Sequence, residues 1–387
     1  MRDFIYLDYN ATTPVDPRVV DAMLPYLREH YGNPASGHAL GRRARVGVES
    51  ARGQVASLLN CEPDEILFTS GGSESNNTVI LGKADRAPQG KRHVIASAIE
   101  HPAVVEPCRL LEKRGWRASW LPVDGAGLVH AAHLSRALDD ETALVSVMLA
   151  NNETGAIQPI AALSELCRQR GVPIHTDAAQ AVGKIPVDVR ALGVDFLSVA
   201  GHKLYAPKGV GALFIRKGQT LPPFVLGAGQ ESGRRAGTEN VPEIVGLGAA
   251  AAIAKADLEQ DMAHCREMRD RLLVGLVARF GAKRMRINGP LTLNPELCLP
   301  GTLSVSFKGI KASDLLAELR ERLAASAGAA CNAEGVKVSA VLQAMTVPLE
   351  WAHGTLRLSV GRMSDEHEMD RAVEILATAI EKLSIPA

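Results

Sequence analysis

The sequence has few aromatic residues and no net charge. Phe, Trp and Tyr make up 4% of its 387 residues, and 43 Lys and Arg are balanced by 43 Asp and Glu. A protein that coats nucleic acid or binds an anionic membrane needs an excess of basic residues. One that binds single strands also needs aromatic side chains on which bases stack. We therefore expect no membrane partner and no direct nucleic-acid partner.

The sequence also lacks the cysteine pairs of a zinc ribbon or of a dithiol redox site. Its six cysteines are widely spaced, and no Cys-x-x-Cys pair occurs among them. The N-terminus has no apolar core like that of a signal peptide, and no apolar run is long enough to span a bilayer. We therefore expect a soluble, cytoplasmic protein with reduced thiols, most of them buried.

The hydrophobic content of 46% is enough for a sizeable core, and the length favours two lobes. Between positions 64 and 260, short apolar runs alternate with longer amphipathic stretches, which predicts βαβ units and a mainly parallel sheet. The predicted strands are 65–69, 93–97, 143–149, 173–177, 196–199 and 211–215, and the predicted helices include 103–114, 160–170 and 240–255.

The pattern changes after Asp257 to that of an α+β unit. Helices are predicted over 258–279, 313–323 and 365–383, and strands over 301–307 and 355–360. We therefore predict an α/β protein with a large domain over 15–258 and a small domain formed by 1–14 and 259–387.

Small and hydroxyl residues are concentrated just after the first of these strands. Positions 69–77 read Thr-Ser-Gly-Gly-Ser-Glu-Ser-Asn-Asn, ahead of a helix predicted over 78–83. Backbone N–H groups and a serine hydroxyl at a helix N-terminus suit a phosphate group. An ordinary glycine-rich turn would have the same composition.

Two chemically important residues lie where buried strands end. Asp177 ends the strand 173–177, at the edge where parallel sheets bind ligands, although a helix N-cap is the commoner role of a single Asp. Lys203 follows the strand 196–199, and a desolvated lysine there loses its proton more easily, although most lysines are on the surface. A phosphate cradle, a strand-end Asp and such a Lys together are the parts of a pyridoxal phosphate site.

The chain resembles the cysteine desulfurases of the nitrogen-fixation and iron–sulfur-assembly type, within the class-V aminotransferase superfamily. The resemblance implies the aminotransferase type-I fold of pyridoxal phosphate enzymes. The matching segments are residues 6–13 (YLDYNATT), 32–36 (GNPAS), 69–77 (TSGGSESNN), 100–102 (EHP), 150–155 (ANNETG), 177–180 (DAAQ), 201–203 (GHK), 229–231 (GQE), 234–240 (RRAGTEN) and 356–362 (LRLSVGR).

The resemblance implies roles for residues around the cofactor ring. Lys203 corresponds to the lysine that carries the cofactor aldehyde, and Asp177 to the partner of the pyridinium nitrogen. Gln180 matches the residue that hydrogen-bonds the phenolic oxygen. His101 matches an imidazole that stacks on the ring and transfers protons.

Further roles concern the cofactor phosphate and the substrate. Ser73 with the Gly72 backbone, and His202, match phosphate ligands. Thr238 matches the phosphate ligand that arrives from the second subunit of a homodimer. Two more residues, Asn152 and Arg357, match the groups that hold the carboxylate of L-cysteine.

Cys331 lies in a segment of small residues, about 324–337, that we expect to be a mobile loop. A thiol on such a loop is a better nucleophile than one on an apolar helix face. The resemblance makes Cys331 the persulfide-forming cysteine of an enzyme that converts L-cysteine to L-alanine. The sulfur would pass to a scaffold protein of iron–sulfur cluster assembly, and Cys331 is the one expected metal ligand, only as a transient ligand of such a cluster.

The sequence departs from the family pattern at several positions. Ala200 stands where many relatives have a Ser that contacts the phosphate, and Ala329 and Asn332 replace the usual Ser and Thr beside the cysteine. Residues 335–339 lack the usual Leu-Glu-Pro-Ser. These differences leave room for a selenocysteine lyase on the same scaffold. The sequence also leaves open an ordinary aminotransferase or lyase of this fold, and a non-catalytic sulfur carrier.

Overall fold

The computed structural model describes residues 4–332 and 335–384, without the side chains of residues 329–337. The strands are β1 (Ile5–Tyr6), β2 (Ile66–Thr69), β3 (His93–Ser97), β4 (Arg117–Leu121), β5 (Thr142–Ser146), β6 (Ile174–Asp177), β7 (Phe196–Ala200), β8 (Gly211–Ile215), β9 (Met285–Asn288), β10 (Thr302–Phe307), β11 (Leu323–Ala324), β12 (Ser326–Ala327), β13 (Ala329–Asn332), β14 (Gly335–Val338) and β15 (Thr355–Ser359). The α-helices are α1 (Pro17–Arg28), α2 (Ala39–Leu59), α3 (Gly72–Asp85), α4 (Pro102–Lys113), α5 (Ala131–Ala137), α6 (Ile160–Gln169), α7 (Val189–Leu192), α8 (Val241–Arg284), α9 (Ala312–Leu319), α10 (Ala340–Ala344), α11 (Leu349–Ala352) and α12 (Glu366–Ser384).

A seven-stranded sheet forms the centre of the large lobe, in the order β2-β8-β7-β6-β5-β3-β4. All neighbouring pairs are parallel except those that involve β8. Apart from the half-exposed edge strand β4, its strands are buried on both faces: Ile66 and Phe68 belong to one apolar core, and Leu67 belongs to another. This burial explains the nearly continuous apolar runs in the sequence, and the predicted α/β class is confirmed.

The second lobe is built on an antiparallel sheet in the order β12-β15-β10-β9. Helices α9 and α12 contribute to its separate apolar core. The N-terminal segment joins this lobe, since β1 pairs in parallel with β11 and Ile5 and Leu7 are buried in the same core. None of the helices in the described ranges has the length and apolar composition needed to cross a bilayer.

The structure differs from the predicted secondary structure at several points. The helices predicted over 240–255 and 258–279 are one helix, α8, whose backbone leaves the helical conformation only at Gly281. Strand β4 was not predicted. The segment expected as a loop around Cys331 contains the paired strands β13 and β14. Because α8 supplies Ala254 to the large core and Met268 to the small one, no linker marks the predicted boundary at 258, and the division into domains stays a prediction.

We predict opposite effects of alanine at two glycines. At Gly211, where β8 starts, a Cβ would lie 2.6 Å from Gly71 Cα, so Gly211→Ala should lower the melting temperature and displace the loop before α3. Gly53 in α2 has open space around it, so Gly53→Ala should stabilise the protein by about 0.5–1 kcal/mol, because Ala is the better helix former. Melting curves of both variants check this, and equal effects of the same sign would contradict it.

Candidate active site

A cavity of about 390 Å³ opens between the two lobes at the ends of β6 and β7. Its walls come from the N-terminal segment, the start of α3, the turns after β5, β6 and β7, and strand β15. It is lined by nine of the residues proposed from the sequence, namely Gly72, Ser73, His101, Asn152, Asp177, Gln180, His202, Lys203 and Arg357. Thr238 and Cys331 are not among its described lining residues.

One end of the cavity is suited to an anion. Helix α3 begins at Gly72 and has no side-chain cap, because its N-cap residue, Gly71, has no side chain. The first-turn N–H groups of an uncapped helix carry partial positive charge and attract phosphate. A Cβ at Gly72 would come no closer than 3.4 Å to Ala200, so this corner is walled by small side chains.

His202 lies at the same end and is uncharged. Its Nδ1 is 3.1 Å from the Thr12 hydroxyl, which leaves Nε2 for a ligand. Burial, followed by the positive charge of Lys203, lowers the pKa of His202 to about 4. A neutral imidazole can donate one hydrogen bond to an anion.

Asp177 is the buried last residue of β6. Asn76 Nδ2 donates to its Oδ2 at 2.7 Å, and the Ala179 N–H donates to its Oδ1 at 2.9 Å. The second contact resembles the capping role that a lone Asp suggests from sequence. Each oxygen retains a further acceptor position, so the carboxylate can also bind a protonated ring nitrogen. The role of Asn76 was missed, although it lies within the motif 69–77.

Lys203 follows β7 in a short helical turn and reaches the N-terminal segment. Its Nζ donates to the carbonyl oxygens of Asn10 and, at 2.8 Å, Ala11. Burial and then the charge of Arg357 lower the pKa of Lys203 to about 8, although Asp8 and Asp177 oppose the shift. An amine with a pKa this low supplies some neutral, nucleophilic form near pH 7.

His101 caps α4, and its Nδ1 accepts a hydrogen bond from the Ala103 N–H at 3.1 Å. This contact places the proton of the neutral ring on Nε2. Burial of the imidazole lowers the pKa of His101, Asp177 opposes this shift, and Lys203 adds to it. The ring is therefore mainly neutral near pH 7.

Arg357 on β15 faces the cavity from the small lobe. Its Nη2 forms an ion pair with Asp8 and a hydrogen bond with the Ser326 hydroxyl, both at 2.7 Å. Its Nη1 donates to the Asn152 carbonyl at 3.0 Å. Its Nε is buried and has no partner among the described residues. The guanidinium is thus held by three groups and still has an unpaired donor for a carboxylate.

The described thiols are poor nucleophiles. Burial raises the thiol pKa to about 12 in Cys61, Cys108, Cys167 and Cys265. It raises the pKa of the Cys298 thiol to about 11. Since the thiolate is the reactive form, none of the five is suited to attack at neutral pH. The side chain of Cys331 lies outside the described part of the chain, and its backbone pairs with Val336.

Within residues 4–332 and 335–384, no three His, Cys, Asp or Glu side chains are arranged to hold a metal ion. The role of Cys331 as a transient cluster ligand falls on a side chain outside this description. It stays a prediction.

The sequence model of class-V aminotransferases matches residues 5–372. The chain belongs to this family. A cysteine desulfurase IscS of Dictyoglomus turgidum is 42% identical over 99% of this chain and 96% of its own length. A solved structure of a NifS-like protein has a TM-score of 0.91 and 38% identity, over 98% of this chain and 100% of that one. A structure of SspA in complex with cysteine has a TM-score of 0.79 and 33% identity, over 92% and 99% of the two chains.

Pyridoxal phosphate is the cofactor of this class-V aminotransferase, and the donor set of the cavity fits it. The uncapped start of α3 suits the phosphate, the Asp177 carboxylate suits a protonated pyridine nitrogen, and Lys203 offers an amine to the aldehyde. Ala200 lies beside Gly72 at this end and has no hydroxyl to offer a phosphate.

We predict that Ala200→Ser tightens cofactor binding. The added hydroxyl would lie beside Gly72 and could donate to the phosphate, and a hydrogen bond to a charged group is worth about 1.5–3 kcal/mol. The dissociation constant of pyridoxal phosphate, titrated into the cofactor-free protein, should fall about tenfold or more. Ala162→Ser, at an exposed position of α6 that does not line the cavity, is the control. An unchanged constant in Ala200→Ser would contradict the phosphate assignment.

Proposed function

We propose that this chain is a cysteine desulfurase that converts L-cysteine to L-alanine and transfers the sulfur to Cys331, with pyridoxal phosphate as cofactor. The observation that carries the proposal is a single cavity that combines a cofactor-type donor set with Arg357, which contacts Ser326 in the segment that bears Cys331. The relatives named IscS and the solved complex of SspA with cysteine support the same reaction and substrate.

The segment around Cys331 is anchored to the cavity on both sides. On its N-terminal side, Ser326 donates to Asp8 at 2.8 Å and accepts from Arg357. On its C-terminal side, Val338 is buried in a small apolar cluster with Met148, which lines the cavity. These contacts support the proposal that the Cys331 thiol reaches the substrate from the small lobe.

Arg357 and Asn152 bind the substrate carboxylate in this proposal. The free Nε of Arg357 and its fixed plane suit a carboxylate. The ion pair with Asp8 keeps the guanidinium at the cavity wall before substrate arrives. Lys203 and Arg357 both place positive charge here, which favours an amino acid that binds through its carboxylate.

Lys203 and His101 move protons in the reaction. When bound, pyridoxal phosphate supplies an electron sink for the charge left at the substrate Cα. Lys203, once free, removes the α-proton because its lowered pKa makes it an effective base near neutral pH. His101 is an acid only as the imidazolium, so its neutral ring would first accept a proton and then deliver it. Asp177 would pair with the ring nitrogen of the cofactor.

The sulfur step uses the Cys331 thiolate as nucleophile. It attacks the substrate sulfur, so an S–S bond forms while the Cβ–S bond breaks, and protons return to the alanine product. In total, one L-cysteine and one protein thiol are consumed, and one L-alanine and one protein persulfide are formed. No external oxidant or reductant is needed.

Several finer assignments belong to this proposal. Thr238 is exposed, as expected of a phosphate ligand for the second subunit of a homodimer. A scaffold protein of iron–sulfur assembly as sulfur acceptor is supported by relatives named IscS. The cytoplasmic location stays a prediction, and no observation on the described residues favours a selenocysteine lyase.

We predict that Arg357→Ala weakens substrate capture. The lost charge-assisted contact is worth roughly 1.5–3 kcal/mol, which raises KM for cysteine about ten- to a hundredfold. Arg286→Ala on β9, a strand of the same sheet, is the control and should leave KM unchanged. Saturation curves for alanine release measure both, and an unaltered KM in the first variant would remove Arg357 from the site.

Cys331→Ser tests the proposed reaction directly. The variant keeps Lys203, Asp177 and Arg357, so it should bind cofactor and cysteine but release no alanine, because a serine hydroxyl is hardly ionised near neutral pH. Alanine release from L-cysteine and persulfide on the intact protein, measured by mass spectrometry, report the loss.

Cys61→Ser is the matched control for this experiment, since Cys61 is partly exposed but its thiol pKa is raised to about 12. It should keep full activity. If Cys331→Ser desulfurated cysteine at the parent rate and persulfide formed on another thiol, the role of the Cys331 segment would be refuted. Retained activity with selenocysteine alone would favour the lyase.

A further inference from the structure

Lys184 is a second enclosed lysine beside the active site that the proposed reaction does not use. Part of its stem faces a small cavity behind the N-terminal segment, next to Cys265 and Arg362. Among the described residues no carboxylate lies within 4.0 Å of its amino group. Desolvating an ammonium group that has no carboxylate partner costs free energy, so other contacts must compensate for it.

The amino group instead meets two neutral amide oxygens. Its Nζ donates to Gln180 Oε1 at 2.7 Å and to Asn10 Oδ1 at 3.0 Å. Burial and then the charge of Lys203 lower the pKa of Lys184 to about 7. The neutral amine has two N–H groups and the ammonium has three, so both forms can satisfy the two oxygens.

These contacts fix the orientation of the Gln180 amide. An ammonium only donates, so it forces the amide oxygen to face it and the amide nitrogen to face away. Gln180 Nε2 accordingly donates to the Asn10 carbonyl at 2.8 Å. The side chain lines the active-site cavity, and its second N–H remains for a ligand.

We propose that Lys184 is a positioning residue that holds the amide of Gln180 with its N–H side toward the cofactor oxygen. The inference rests on the proposed role of Gln180 in cofactor binding. Without Lys184 only the hydrogen bond to the Asn10 carbonyl opposes a half-turn of the amide, which would place its oxygen against an oxygen of the cofactor. Lys184 thereby makes Gln180 a donor to the ligand.

The test is a double-mutant cycle on cofactor affinity, measured by titrating pyridoxal phosphate into the cofactor-free protein. Lys184→Met removes the donors at similar volume and should raise the dissociation constant about five- to tenfold. In a Gln180→Ala background the same change should alter it less than twofold, because the group that Lys184 orients is gone. Lys184→Arg, which also only donates, should recover part of the affinity.

Lys83→Met is the matched control. Lys83 is half-buried on α3, with Nζ 5.7 Å from the centre of the Phe196 ring, and does not line the cavity. The affinity of Lys83→Met for pyridoxal phosphate should equal that of the unaltered protein. If Lys184→Met does not fold, Lys184→Gln replaces it, since a Gln there can meet the Gln180 amide in either orientation.

Two results would overturn the inference. One is an unchanged dissociation constant in Lys184→Met, and the other is an equal loss with and without Gln180, which would indicate a general packing effect. Failure of the proposed function is distinguishable, because the unaltered protein would then bind no pyridoxal phosphate at all, or bind it without desulfurating cysteine.

Discussion

The active site depends on how Asn10 is held between the two lobes. Its backbone N–H donates to the Ser359 hydroxyl at 2.9 Å, and its Nδ2 donates to the Thr302 hydroxyl at 2.8 Å, both in the small lobe. Its carbonyl oxygen accepts from Lys203 and Gln180 of the large lobe. One buried residue therefore bonds to both lobes and helps to position the reactive amine.

A surplus of positive charge in a confined space follows from this arrangement. Lys203, Lys184 and Arg357 lie around one segment, opposed by Asp177 and Asp8. Burial disfavours the charged form of each amine, and their mutual repulsion adds to the effect. The same positive charge attracts a phosphate and a carboxylate. The lowered pKa values of the two lysines and the recognition of anionic ligands therefore have one cause.

The sequence predicted what depends on local pattern. Buried parallel strands have continuous apolar runs, which located β6 and β7 and, at their ends, Asp177 and Lys203. Strand β4 was missed because it is a half-exposed edge strand with Arg, Ser and Trp in its five residues. The resemblance supplied roles for isolated residues such as Arg357, whose position in a strand would otherwise suggest a surface ion pair.

Contacts between distant segments could not be read from the sequence. Asn10 lies within the motif 6–13, but its hydrogen bonds join positions about 140 to 350 residues away. Lys184 follows Gln180 by four positions and gives no local signal of burial. The continuity of α8 was hidden as well, because its composition changes where it passes from one core to the other.

The anchoring of the Cys331 segment limits where its sulfur can go. Gly328 packs against β15 and α10, where a Cβ would lie 2.8 Å from side-chain atoms of both Thr355 and Leu342. Consecutive Cα atoms are about 3.8 Å apart, so Cys331, three positions further, stays within about 11 Å of Gly328. A thiol on so short a tether cannot carry sulfur far from the cavity. If the sulfur passes to an acceptor protein, as proposed, that protein has to bring its accepting group to the part of the small lobe where Gly328 is fixed.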